Sequence, residues 1–141
     1  MPLSPAALAY AQCPIGPRLF LAEDDDDLRT LLSSSLRKHG YEVLAAASGA
    51  ELLRHLSAVA AKALPRPDAI VMDVRMPGHT GLDLLLALRL AEWDVPIVLM
   101  TAFADATLHR RATDLGAKAV LDKPLSVPDL IAAVREATLT S

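Results

Sequence analysis

The run Asp68-Ala69-Ile70-Val71-Met72-Asp73-Val74-Arg75-Met76-Pro77-Gly78 constrains this chain more than any other stretch. Ile70, Val71 and Met72 show no polar alternation, so the segment reads as a buried strand. Asp73 ends it. Met76-Pro77-Gly78 then forces a turn, because proline fixes φ and glycine permits positive φ. One carboxylate is thus held at the C-terminal end of a buried strand, where open α/β sheets place their sites. A strand-end aspartate is also an ordinary turn former, so the other segments must decide between the two readings.

Taken in order, those segments repeat the pattern. Arg18 to Ala22, with Leu19-Phe20-Leu21, is the first strand, and it runs into five acids, Glu23 to Asp27. A helix follows, with Leu28, Leu31, Leu32 and Leu36 at its period. Acids at a helix start cap free N–H groups and suit the dipole, which accounts for Asp25, Asp26 and Asp27. Glu23 and Asp24 come too early for that role, and like charges there cost energy unless a cation offsets them. Gly40 closes the helix, and Tyr41 to Ala46 is the second strand. Ser48 caps a helix reaching about Ala63, with Leu52, Leu56, Val59 and Ala60 on one face. Pro65-Arg66-Pro67 is a stiff connector to the Asp73 strand. Thr80-Gly81 opens the next helix, with Leu82, Leu85 and Leu86 inward. Ile97 to Met100 is a fully apolar fourth strand with Thr101-Ala102 at its end. A helix from near Asp105 to Leu115 has a thin apolar face, Leu108, Ala112 and Leu115. Lys118 to Leu121 is the fifth strand, leading to Asp122-Lys123-Pro124. The last helix begins near Ser126 and shows Val127, Leu130, Ile131 and Val134 at i, i+3, i+4, i+7. Five strands alternating with five helices predict an α/β fold, a parallel sheet covered on both faces.

Composition narrows the class. With 141 residues, 52% hydrophobic and 22% charged, the chain can bury one real core. A net charge of −3 argues against bulk-charge binding of nucleic acid by this segment. No apolar run approaches the ~20 residues of a membrane span, and no secretory signal opens the chain, so a cytoplasmic setting is expected. Cys13 is the single cysteine, which excludes an internal disulfide. Residues 1–17 carry Pro2, Pro5, Pro14 and Pro17 and read as a flexible arm. Ala6 to Gln12 is long enough for a turn or two of helix, too short to stand alone. The folded unit is expected over residues 18–138, with a tail at 139–141.

Glu23 and Asp24, Asp73, Thr101 and Lys123 fall at four of the five strand ends. A parallel sheet brings those ends to one edge. Three carboxylates in one crevice repel one another, and a hard cation such as Mg²⁺ relieves the repulsion. A carboxylate can act as nucleophile toward phosphorus, and a lysine and a hydroxyl beside it can bind phosphoryl oxygens. Each residue alone has a plainer reading, as surface cation, turn hydroxyl or helix-start acid.

The set Leu19-Phe20-Leu21-Ala22-Glu23-Asp24, Val71-Met72-Asp73-Val74-Arg75-Met76-Pro77 with Gly81, Leu99-Met100-Thr101-Ala102, and Lys123-Pro124 closely resembles the receiver domain of two-component response regulators. The resemblance covers about residues 18–138. It implies a flavodoxin-like fold with strand order 2-1-3-4-5, an order for which a receiver protein is a standard example. It implies that Asp73 accepts a phosphoryl group from a sensor histidine kinase or a phosphotransfer protein. Glu23, Asp24, Asp73 and the backbone carbonyl of Arg75 would hold Mg²⁺. Thr101, Ala102 and Lys123 would bind the phosphoryl group and switch with it, and Pro124 would follow a cis bond. The molecule would then be a signalling switch that catalyses only its own phosphorylation and dephosphorylation. It would act on a downstream output protein or an output domain outside this segment, or form a homodimer through the fourth helix, fifth strand and last helix of the receiver unit.

One position departs from the family. Receivers often carry an aromatic residue three places before the lysine, and here it is Val120. Phe103 is a candidate substitute, with plain packing as the alternative. His109, Arg110 and Arg111 fall near the family's responding surface, where they could meet a partner, with solvated charge as the plainer reading. Two rival functions stay open. An aspartyl-nucleophile Mg²⁺ phosphatase typically needs an acid two residues after the nucleophile, where this chain has Arg75. A pseudo-receiver, an interaction module that is never phosphorylated, is opposed by the intact acid, threonine and lysine set.

Overall fold

Five apolar runs lie side by side, each parallel to its neighbours, and the polar residues that end them share one edge. The computed structural model describes residues 3–12, 16–76, 78–102 and 106–139. The expectations for Cys13, Pro77, Phe103 and Asp105 lie outside the described residues. In chain order the elements are α1 (Pro5–Gln12), β1 (Arg18–Ala22), α2 (Asp26–Lys38), β2 (Glu42–Ala46), α3 (Gly49–Ala60), β3 (Ala69–Asp73), β4 (Arg75–Met76), β5 (His79–Thr80), α4 (Gly81–Leu90), β6 (Ile97–Thr101), α5 (Ala106–Asp114), β7 (Ala119–Asp122) and α6 (Val127–Leu139).

The main sheet has the order β2-β1-β3-β6-β7, which is 2-1-3-4-5 among its own strands. Alternation along each strand divides the core in two. Phe20, Leu44, Ile70, Met72, Ile97 and Leu99 face Leu52, Leu56 and Val59 of α3 and Leu84, Leu85 and Leu88 of α4. Leu19, Leu21, Val43, Val71, Val98 and Met100 face Leu32 and Leu36 of α2 and Leu130, Ile131 and Val134 of α6. β3 and β6 are buried throughout, as their unbroken apolar runs require. Among the described residues, no helix is long and apolar enough to cross a membrane.

Four details differ from the sequence reading. Pro5–Gln12 is not a free arm. It forms α1, and Tyr10 is buried against Phe20 at 5.5 Å between ring centroids, with its hydroxyl donating to the Pro65 carbonyl. A helix this short is marginal alone, and packing on the core supplies what local propensity lacks. In α4 the inward face is Leu84, Leu85 and Leu88, while Leu86 is exposed. Leucine recurs almost all round that helix, so its period singles out no face. Leu31 of α2 is exposed beside the inward row Leu32 and Leu36, and Ala60 of α3 is exposed too. The turn after Asp73 is a small antiparallel hairpin, Arg75 opposite Thr80 and Met76 opposite His79, with Gly78 at φ +79°.

Candidate functional site

The strand registers explain why distant residues meet. Ala22 pairs with Met72, so Glu23 comes level with Asp73. Asp73 pairs with Met100, and Thr101 with Asp122. The Lys123 N–H donates to the Thr101 carbonyl at 2.7 Å, and the Glu23 N–H to the Ala46 carbonyl at 3.0 Å. Each polar residue therefore sits on the last rung of a ladder or one step beyond.

The acid run divides as its position demands. Asp25 is the N-cap of α2, its carboxylate accepting from the Leu28 N–H at 2.9 Å, with Asp26 and Asp27 in the first turn. Glu23 is fully buried: Oε1 accepts from Lys123 Nζ at 2.6 Å, Oε2 from the Asp25 N–H at 3.1 Å. Asp73 is buried at 5% exposure, with Oδ1 accepting from the Arg75 N–H at 2.9 Å and Oδ2 from Lys123 Nζ at 2.5 Å. Asp24 is exposed, yet one carboxylate oxygen from each of Glu23, Asp24 and Asp73 lies within 4.8 Å of the others. An open cleft of about 610 Å³ touches Asp24, Arg75, Met76, Thr80, Asp83 and Arg111, giving solvent a route to this side of the pocket.

Charge follows from burial and pairing. Burial pushes the Glu23 carboxyl above its ordinary range, against the opposing hydrogen bonds from Lys123 and the Asp25 N–H. Burial works against the Lys123 ammonium as well, but its bonds to Asp73 and Glu23 prevail and raise its pKa. The ammonium is the cation that the clustered acids need. The donor set is all oxygen, and a hard ion such as Mg²⁺ fits it.

The structure brings together Glu23, Asp24, Asp73 and Lys123. Thr101 is buried at the end of β6, joined through its carbonyl to Lys123, and Ala102 follows it at the surface. The Lys123–Pro124 bond is cis. Gly81 packs on the turn that follows Asp73: a Cβ there would come within 2.7 Å of the Asp73 carbonyl oxygen and 2.9 Å of Val74 Cα. Val120 lies half-buried against the core, opposite Leu99. Two contacts were not foreseen. His109 of α5 lies 3.1 Å from Asp122, next to Lys123, and Arg29 of α2 reaches back to Glu23 and Asp26. The spacing of Asp26 and Arg29, three residues apart on a helix, was the one signal in the sequence.

A doubly wound sheet of this order, with an acidic pocket and a lysine at its carboxyl edge, defines the receiver class of signalling domains. The chain belongs to the response regulator receiver domain family, whose pattern matches residues 19–135, and is the receiver domain of a two-component response regulator, a switch rather than an enzyme in the ordinary sense. It is 38% identical over 127 residues to the transcriptional regulatory protein PdtaR of Mycobacterium tuberculosis, covering 88% of this chain and 58% of that protein. The chain spans about half the length of PdtaR and of the mycobacterial regulator PrrA, which it also matches. Its fold matches the receiver domain of Francisella response regulator 1452, with a TM-score of 0.81 and 24% identity, covering 89% of this chain and 98% of that one. The chemotaxis response regulator CheY4 of Vibrio cholerae gives a TM-score of 0.76 at 26% identity, covering 87% and 99%.

Proposed function

We propose that Asp73 is the phosphoacceptor, taking a phosphoryl group from the phosphohistidine of a sensor histidine kinase or a phosphotransfer protein. One Asp73 oxygen attacks phosphorus. The O–P bond forms as the P–N bond breaks, and the imidazole nitrogen leaves with the electron pair and takes a proton from water. Asp24 and Asp73, with Glu23 and the Arg75 backbone carbonyl, are the groups that would hold Mg²⁺. When bound there, Mg²⁺ would supply positive charge to offset that gathering on the phosphoryl oxygens. Lys123, already bonded to Asp73, would bind the same oxygens, and Thr101 and Ala102 are assigned the remaining contacts to them. The observation that carries the reading is the single ammonium bonded to both Asp73 and Glu23, beside a third acid open to solvent.

The switch follows from differential contacts. Phosphorylation adds roughly −1.5 to −2 charges and new acceptor oxygens at Asp73. Lys123 and Thr101 then gain a partner that one conformation satisfies better than the other, which shifts the population. Coupling of this kind is typically ~1–3 kcal/mol. The output is a downstream protein or a domain outside this segment, or self-association, through α5, β7 and α6, and the setting is cytoplasmic.

Incubation with Mg²⁺ and acetyl phosphate, followed by intact mass, tests the reading. One added phosphoryl group is expected, lost in Asp73→Asn and kept in Asp27→Asn. No gain in the wild-type chain would instead leave a pseudo-receiver.

A further inference from the structure

Arg29 stands one turn inside the N-terminus of α2, where the helix dipole disfavours a cation. Its side chain runs back toward that terminus, as helix geometry directs. Nη1 donates to the Glu23 carbonyl at 2.9 Å, and Nη2 to the Asp26 carboxylate at 2.5 Å. The Arg29 side chain is only one-fifth exposed, whereas that of Asp26 is almost wholly in solvent. The buried partner is therefore the carbonyl.

That carbonyl belongs to the peptide joining Glu23 to Asp24. A peptide is planar, so fixing its C=O fixes the N–H and the Cα that carry Asp24. The other polar groups of Glu23 are already committed, the N–H to Ala46, one carboxylate oxygen to Lys123 and the other to Asp25. Those bonds hold Glu23 itself. The bond to Asp25 spans the Glu23–Asp24 peptide, and Arg29 is the side chain that grips that peptide's carbonyl directly. Asp24 is the exposed member of the acid trio, without the burial that holds Glu23 and Asp73.

We infer that Arg29 is a positioning residue for the metal pocket, orienting the Glu23–Asp24 peptide so that the Asp24 carboxylate meets that of Asp73. The inference rests on the proposed Mg²⁺ site. Its sign separates it from simple electrostatics. Removing a nearby positive charge should tighten binding of a cation, whereas losing the peptide's anchor should weaken it. Groups that orient metal ligands typically cost about 10–100-fold in affinity when removed.

The test is Mg²⁺ titration calorimetry on the full chain, with urea unfolding in EDTA as the fold control. Arg29→Met should weaken Mg²⁺ by about tenfold or more. Arg29→Lys keeps the charge and one donor but not the planar fork, and should lie between the two. Asp26→Asn should stay within about twofold of wild type, since its carboxylate is solvated. In acetyl phosphate reactions, the Mg²⁺ half-saturation of Arg29→Met should rise by the same factor while the rate at saturating Mg²⁺ holds. Equal or tighter Mg²⁺ binding by Arg29→Met overturns the inference and leaves Asp73 as phosphoacceptor. If that variant does not fold, wild-type affinity in Arg29→Lys overturns it. A wild-type chain that binds no Mg²⁺ removes both.

Discussion

Replacing Tyr10 by alanine tests whether α1 belongs to the folded unit. The ring is 2% exposed, lies 5.5 Å from Phe20 and has the Arg18 guanidinium 5.8 Å from its centroid. Burying an aromatic side chain of this size is worth about 1.5–3 kcal/mol. The contact with Phe20 contributes roughly 0.5–1.5 kcal/mol more. The long hydroxyl bond to Pro65, 3.3 Å, adds little. Tyr10→Ala should therefore cost about 3 kcal/mol, at the low end for large aromatic truncations because a surface helix can relax into the gap. With a urea m-value of roughly 2 kcal/mol/M, the midpoint should fall by about 1.5 M. Tyr10→Phe keeps the packing and should lose about 0.5–1 kcal/mol. Leu8→Ala, at an exposed site, should stay within about 0.5 kcal/mol. A Tyr10→Ala midpoint equal to that of wild type would refute the docking of α1.

Three further outcomes follow from the same structure. Burial raises the Tyr10 phenol, and bonds to Asp73 and Glu23 raise Lys123 against the opposing effect of burial. The folded chain thus holds protons that the unfolded chain gives up above about pH 10, so stability should fall as pH rises past that point, and less steeply in Tyr10→Phe; a flat urea midpoint from about pH 9 to 11 would contradict this. Gly81→Ala forces a methyl against the Asp73 carbonyl and Val74, neither of which can swing away, and should cost about 1–3 kcal/mol by thermal unfolding and slow phosphorylation. Lys123→Met leaves buried Glu23 and Asp73 without their cation, so the domain should still fold but lose about 3 kcal/mol in EDTA, and Mg²⁺ should restore more stability to it than to wild type.

How much could be read without coordinates varied with the physics of each element. Ile70 to Met72 and Ile97 to Met100 announce themselves, because a strand covered on both faces has no polar alternation to confuse with a helix. The site was legible for a related reason. Strand ends in a parallel sheet share an edge, so Glu23, Asp73 and Lys123 need only follow their runs to meet. The small Arg75–Met76 and His79–Thr80 hairpin is too short to leave a period. The docking of α1 depends on Tyr10 meeting Phe20 and Pro65, the latter 55 residues away, and no local pattern encodes such a contact. No sequence pattern marks the Arg29 contact with Glu23, because its partner is a backbone carbonyl, which every residue possesses. His109 read as solvated charge, although it lies beside Asp122 on a helix whose one buried side chain is Ala112.

An acyl phosphate can be reduced in place by borohydride, leaving a stable mark on the carbon that carried it. Mapping that mark by peptide mass after reaction with Mg²⁺ and a phosphodonor is the most direct measurement. Homoserine is expected at position 73, with unmodified aspartates at 24 and 27. A mark on Asp24 or Asp27, or no mark anywhere in the chain, would contradict this.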